Sequence, residues 1–253
     1  ELHLTTEQQA ATRAMDENCI RDVNLYLYGD TEYHFYFPSV SSPLVFNVLP
    51  GNYRSYAIAN AGQDLGDKNA FKIQFYETAV DVMESSDAIP MTDRGTLAVD
   101  GAGRCTPSSL RVTRSAAKIA YTIEVADAVA PSLRLRSVQF CNLPLTIRPF
   151  DSGSISSTVE ANYYDGEAMP VGNERRTAGT AYLFENLQGS VDTITDQKDK
   201  CPENAPACAT YLRILAERSA DKALVEYIVY PGENNTSDFN AVSYTHLRAH
   251  ETV

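Results

Sequence analysis

Apolar residues in this chain recur with a period of two, in short runs cut by glycine, proline and aspartate. That alternation constrains the fold more than any other feature. In "RDVNLYLYG", Val23, Leu25 and Leu27 fall on one side and Asn24, Tyr26 and Tyr28 on the other, and Gly29-Asp30 ends the run. Successive side chains of a strand point to opposite faces, so this pattern predicts a strand with one face inward. "EYHFYF" repeats it with Tyr33, Phe35 and Phe37, and Pro38 stops it. In "PLVFNVLPGNYRSYAIANAG" two β-rich runs flank Pro50-Gly51, which predicts a type II turn: proline presets φ at the first turn position and glycine accepts positive φ at the second.

Further along, "AFKIQFYETAVDVME" carries apolar residues at helical spacing (Phe71, Phe75, Ala79, Met83), and its length predicts a helix from about Asn69 to Ser85. "SSDAIPMTDRG" reads as a loop, then "GTLAV" as a strand. "SSLRVTRSAAKIAYTIEV" is too long for one flat strand in strict register, so it reads as one long strand or as two joined by a bulge near Arg114 to Ala116. "SLRLRSVQFCNLP" follows as another strand. Around "LTIRPFDSGSISS" the composition shifts to Ser, Gly and Asp, the best candidate for a domain boundary. Beyond it "TAYLFEN", "ATYLRILAE" and "ALVEYIVYPG" are strands, with the long polar loop "QGSVDTITDQKDKCPENAPAC" between the first two. The expected fold is all-β: two tandem β-sandwich domains with one short helix in the first, over residues 1–149 and 150–240.

The 253 residues are 43% hydrophobic, enough for a sizeable core, and the fifteen Tyr and nine Phe suit strands. The net charge of −12 argues against a nucleic-acid partner or adsorption to anionic lipid, both of which need clustered Lys and Arg. No apolar run approaches the ~18 residues of a membrane-spanning helix. The chain opens on Glu1 without an apolar signal segment, as a fragment or a processed mature form would.

Motifs that carry chemistry are missing. The sequence has no G-x-S-x-G elbow, H-E-x-x-H, phosphate-binding loop or zinc ribbon. Gly101-Ala102-Gly103 precedes no helical pattern and reads as a turn. His3 and His34 have no supporting motif for nucleophilic catalysis, and a lone strand histidine such as His34 reads as solvated or hydrogen-bonded. The expectation is therefore no enzyme, no catalytic residue and no cofactor. Of the five cysteines, Cys201 and Cys208 in "CPENAPAC" could close a small disulfide loop in an exported protein, while their spacing is poor for zinc. Cys141 reads as a buried free thiol in a strand; Cys19 and Cys105 show no pairing pattern. The tyrosines have two readings: rigid contact area for glycans or proteins, or the solvent-side face of strands.

Several segments resemble the fimbrillin-like proteins of the Bacteroidetes, subunits of type V pili and their tip or accessory components. The segments are "DENCIRDVNLYLYGD", "LPGNYRSYAIANAG", "IPMTDRG", "VTRSAAKIAYTIEV" and "VQFCNLP" in the first half. In the second they are "YLFENLQG", "DQKDKCPENAPACATYLRI" and "YIVYPGENNTSDFN". No single motif is decisive, and their order and spacing carry the match. The resemblance implies two transthyretin-like β-sandwiches, export as a lipoprotein, and residence at the outer membrane or in a fimbria. It implies no cofactor, and as partners other fimbrial subunits together with host or microbial surface ligands. The mechanism it implies is strand complementation: a protease removes an N-terminal segment after an arginine, and a strand of the next subunit fills the vacated groove. By the match, the processing bond is Arg13-Ala14. A rival reading is a surface adhesin that binds glycan or host protein and never polymerises.

Two features depart from the family. There is no lipobox cysteine, so lipidation is carried onto no residue, Cys19 included. The strand expected after "DFN" is also missing, and "VSYTHLRAHET", Val242 to Thr252, instead resembles one translated frame of a transposase-type sequencing-library adapter. Residues 241–253 are therefore expected to be a non-native tail. His246 and His250 sit there at a metal-compatible i, i+4 spacing with no third ligand in view, so no metal site is expected.

Overall fold

The computed structural model describes residues 2–6, 19–40, 43–67, 78–79, 89–147, 150 and 156–242. In chain order the strands are β1 (His3–Thr6), β2 (Val23–Tyr28), β3 (Glu32–Phe37), β4 (Gly51–Ala59), β5 (Thr78–Ala79), β6 (Met91–Val99), β7 (Cys105–Thr106), β8 (Ser109–Arg114) and β9 (Ala116–Glu124). Then come β10 (Leu133–Cys141), β11 (Leu143–Pro144), β12 (Thr146–Ile147), β13 (Tyr163–Tyr164), β14 (Met169–Pro170), β15 (Arg176–Phe184), β16 (Tyr211–Arg218) and β17 (Leu224–Val229). Short 3-10 turns at Glu160–Asn162 and Gln197–Asp199 are the helical elements among the described residues. None of the described helices is long and apolar enough to cross a membrane. The fold is all-β.

The chain divides into two compact units, residues 1–115 with 146–152, and residues 116–145 with 153–253. This differs from a boundary at 149/150. The run from Ser109 to Glu124 is split at Ser115: β8 belongs to the first unit and β9 to the second. The break is held by Ser115, whose backbone N–H donates to the Pro90 carbonyl (2.9 Å) and whose hydroxyl meets that of Thr92 (3.4 Å).

In the first unit one sheet runs β1-β8-β6-β4-β2-β3, with β7 paired to β6. Val23, Leu25, Leu27, Tyr53, Leu97, Leu110 and Val112 bury one face of it. The other face is buried as well, by Tyr26, Tyr28, Tyr56, Ile58, Ala61 and Phe150. Hence every residue of β2 is buried, where alternation predicted one solvent face for Asn24, Tyr26 and Tyr28. Neither reading of these tyrosines holds: Tyr26, Tyr28, Tyr53 and Tyr56 are core side chains.

Three other expectations are corrected. Gly51 opens β4 without positive φ, so no type II turn forms at Pro50-Gly51. The preceding run is no strand: Leu44 makes a single bridge to Leu2, while Val45 and Leu49 face solvent. Met91 to Gly95, read as loop, is the first half of β6; its Arg94 reaches the Phe150 carbonyl at 2.8 Å, which gives a charged residue a partner inside a strand. The helix expected over 69–85 lies outside the described residues except at Thr78–Ala79. There the chain is a strand, paired with Thr146–Ile147. The turn at Gly101–Gly103 is as expected, with Gly103 at φ 74° and the Asp100 carboxylate accepting from the Ala102 and Arg104 amides.

In the second unit a sheet ordered β14-β10-β16-β17 and a ribbon of β9 with β15 share one core. Ile119 and Leu183 of the ribbon meet Leu135, Val138, Phe140, Leu212 and Ile214 of the sheet, which is a sandwich-like packing. The outer side of the sheet is charged: Arg136 binds Glu217 (2.7 Å) and Glu174 (3.4 Å).

Candidate functional site

β1 is a short strand at the edge of the first unit's sheet. It pairs parallel to β8, with His3 beside Ser109, Leu4 beside Leu110, Thr5 beside Arg111 and Thr6 beside Val112. The His3 amide donates to the Ser108 carbonyl (2.8 Å). Just ahead of the strand, Leu2 and Leu44 exchange both backbone hydrogen bonds, at 3.1 and 2.8 Å, as an isolated bridge. The short strand therefore ends the sheet beside β8, and the residue before it is bridged to Leu44. Leu2 is 0% exposed and belongs to the same core as Leu44, Leu110 and Val112, whereas the His3 side chain is exposed. The seat is built for an extended segment: alternate residues of β8 point inward (Leu110, Val112), and the ones between, Ser109 and Arg111, face out.

The chain re-enters the described residues at Cys19, where Asn60 pins it. Asn60 adopts φ 61°, a left-handed conformation that asparagine tolerates. Its buried amide donates to the Cys19 and Ile89 carbonyls (2.9 and 2.7 Å), and its oxygen accepts from the Arg21 amide (2.8 Å). Along β2, Asp22, Asn24 and Tyr26 then each bond the backbone of the 61–66 loop. Burial pushes the Asp22 carboxyl up, opposed by the amides of Gly62 and Ala61. His34, expected to be solvated or hydrogen-bonded, is bonded: its Nε2 lies 3.1 Å from Asn24 Oδ1, its ring stacks on Tyr26 at 4.5 Å, and Asp64 stands 3.7 Å away.

In the second unit the polar side chains converge below the end of β15. Asn186 is fully buried; its amide donates to the Cys208 carbonyl (2.8 Å) and Thr210 Oγ1 (2.9 Å), and its oxygen accepts from Gln188 Nε2 (2.9 Å). Tyr163 joins the network, and burial pushes its hydroxyl up to about 12. Asn186 and Ala241 exchange both backbone bonds, so the chain after Phe239 is tied alongside the end of β15. Nearby, Lys200 donates to the Asn234 carbonyl (2.9 Å), and its ammonium lies 5.2 Å from the centre of the Phe239 ring.

Arg13 and Ala14 lie outside the described residues, as do His246 and His250. All five cysteines are free thiols. Cys201 and Cys208 are not joined, and they have different surroundings: Cys201 beside Glu203, Asn204 and Tyr230, Cys208 beside Tyr163 and Glu160. Cys141 is buried in β10 as expected, and burial pushes its thiol up to about 11. No group of three metal-ligating side chains occurs among the described residues. The sequence pattern discloses neither β1 nor the Asn60 and Asn186 braces; an asparagine at the end of a strand run, a residue type that tolerates left-handed backbone, is the signal that points to Asn60.

The family model described as "Domain of unknown function (DUF4906)" matches residues 181–249, which include the end of β15, β16, β17 and the Asn186 network. The match runs past 241, into the stretch set apart as a tail. No curated protein matches the chain. Among solved structures, a protein assigned a role in cell adhesion from Parabacteroides distasonis is similar at TM-score 0.60 and 10% identity, over 92% of this chain and 83% of that one. A fimbrilin from Porphyromonas gingivalis is similar at TM-score 0.57 and 14% identity, over 97% of this chain and 88% of that one. The resemblance read from the sequence is thus borne out at the level of architecture: the chain has the all-β fold of Bacteroidetes fimbrillins and related adhesion proteins.

Proposed function

We propose that this chain is a structural component of a fimbria, a subunit or a tip or accessory piece, exported to the cell surface at the outer membrane. It assembles by strand exchange. Proteolysis after Arg13 frees β1, and a strand from a neighbouring subunit takes its place beside β8. The two compact units are the tandem sandwich domains of such a subunit.

One observation carries the reading: a four-residue strand, His3–Thr6, pairs along β8, and Leu2 just ahead of it is fully buried in the first unit's core. The candidate processing bond follows it, before the chain is pinned at Cys19. Loss of such a strand leaves unpaired backbone groups and an apolar slot, and both are satisfied by any extended segment of matching pattern. The similarity in fold to a fimbrilin supports the same reading.

The test is digestion of the purified protein with an arginine-specific endoprotease, followed by N-terminal sequencing and gel electrophoresis. A new terminus at Ala14 and a ladder of detergent-resistant oligomers are expected, with neither in Arg13→Ala. A processed chain that stays monomeric and binds a glycan array would instead establish the adhesin reading.

A further inference from the structure

We propose that Lys200 is a selective acylation site, whose side-chain amine takes small activated acyl groups in preference to the other described lysines. The argument rests on how differently these amines are held. Lys198 pairs with Asp196 at 3.3 Å and Lys222 with Glu217 at 3.2 Å, so each ammonium is stabilised by a carboxylate. Lys118 lies over the Tyr182 ring at 5.7 Å. Lys200 has no carboxylate within ion-pair distance among the described residues, although Asp238 is near enough to be felt electrostatically.

The reason is that Asp238 is turned toward other donors. Its Oδ2 accepts from the Glu233 amide (2.6 Å), and its Oδ1 from Asn240 Nδ2 (2.6 Å) and Ser190 Oγ (3.4 Å). Lys200 is left half-buried over Phe239, with one neutral acceptor, the Asn234 carbonyl. An ammonium held by one neutral acceptor and an aromatic face in a partly dry site has lost hydration without a compensating charge, and its neutral form gains. Burial lowers its pKa to about 8. At pH 7.5 such an amine is about a quarter neutral, against about one part in a thousand for an ordinary lysine.

The chemistry balances without a further reactant. The Nζ lone pair attacks the carbonyl carbon of an acyl phosphate or ester, and a C–N bond forms. The C–O bond to the leaving group breaks, and the leaving group departs with its electron pair. The Nζ proton passes to water. The product fits the site: an amide keeps one N–H, which is all that the Asn234 carbonyl receives now, and the acyl group lies toward Phe239. Acylation removes the charge over that ring, so it alters how the 191–209 loop is tied to the 231–241 segment.

The experiment is limiting N-hydroxysuccinimide acetate on the folded full chain at pH 7.5, with each lysine followed by mass spectrometry. Lys200 should react at least roughly tenfold faster than Lys198 and Lys222, with a rate that rises toward a plateau above pH 8. The preference should vanish in denaturant and persist in Phe239→Leu, which keeps an apolar cover and removes the ring's attraction for the cation. If that variant fails to fold, the comparison of folded with denatured wild type still decides. Equal or slower reaction at Lys200, or a preference that survives denaturation, overturns the proposal.

Discussion

Replacing Leu2 with alanine tests whether the residue leading into β1 is part of the first unit's core or merely rests on it. Leu2 is 0% exposed and shares a core with Leu44, Leu110 and Val112. The substitution removes buried methyl groups and leaves a cavity bounded by side chains that are themselves held in β8 and at the Leu44 bridge, so the site cannot collapse easily. Leucine-to-alanine changes at such positions cost about 3 kcal/mol. At a urea dependence of about 2 kcal/mol per molar, the midpoint for the first unit should fall by about 1.5 M. The chain has no Trp, so tyrosine fluorescence is the probe, with Tyr26, Tyr28, Tyr53 and Tyr56 buried in this unit. His3→Ala is the control. Its side chain is exposed, and it should stay within about 0.5 kcal/mol of wild type. A loss below about 0.5 kcal/mol for Leu2→Ala, or equal losses for both variants, would refute the reasoning. The proposed exchange also predicts the behaviour of the cut chain: after cleavage at Arg13, residues 1–13 should be replaced by an excess of synthetic peptide of the same sequence.

Other outcomes follow from single residues. Asn60→Asp turns a donor to two carbonyls into an acceptor-only group beside them, and should destabilise the first unit by roughly 3 kcal/mol or more, read by thermal unfolding. Gly232→Ala should cost about 2 to 4 kcal/mol in the second unit, because an added Cβ would lie 2.1 Å from the Asp238 carbonyl oxygen, a backbone atom that cannot swing aside. Lys200 gives a pH dependence of known sign. Its pKa is near 10.5 unfolded and about 8 folded, so between these values the unfolded chain holds the extra proton and stability rises with pH. Half-exposed, it should contribute about 1 to 2 kcal/mol, less than the full shift implies, because solvent screens the charge. The Tyr211 and Tyr230 hydroxyls, both pushed up by burial, act oppositely above about pH 10. Urea midpoints should therefore be compared between pH 7.5 and 9.5, where Lys200→Met should flatten the rise.

The strands with local alternation were legible: β2, β3, β10, β15, β16 and β17 fall on the runs that predict them. What the runs could not disclose was the second layer. A period of two says that a strand has two kinds of face, and aromatic polarity suggested that tyrosine faced water. In β2 the tyrosines are covered by Ala61 and Phe150, and Tyr26 spends its hydroxyl on the Gly66 carbonyl at 3.0 Å. A tyrosine can be core when a backbone acceptor comes to meet its oxygen, and that acceptor lies forty residues away in sequence. The same limit explains β6. Asp93 and Arg94 looked like loop residues, and their partners, the Arg111 amide and the Phe150 carbonyl, come from distant segments.

β1 shows the limit most sharply, because it is the part of the candidate site that carries the functional reading. Four residues are too few to display a period, and a parallel partner over a hundred residues away leaves no hairpin signal between them. The stretch after it further hides it: "EQQAATRAMDEN" is polar and lacks strong periodicity, and the short strand ahead of it reads as part of the same polar opening. β1 is held by pairing with β8, a partner distant in sequence, and the fully buried Leu2 lies just ahead of it. Under the proposed strand exchange the seat along β8 would receive another extended segment. A neighbour's segment with an apolar residue at the Leu2 position and extended backbone beside Ser109 to Val112 would satisfy the same donors and acceptors. The feature that makes β1 illegible, a partner far away in sequence, is the one that the proposed strand exchange would use.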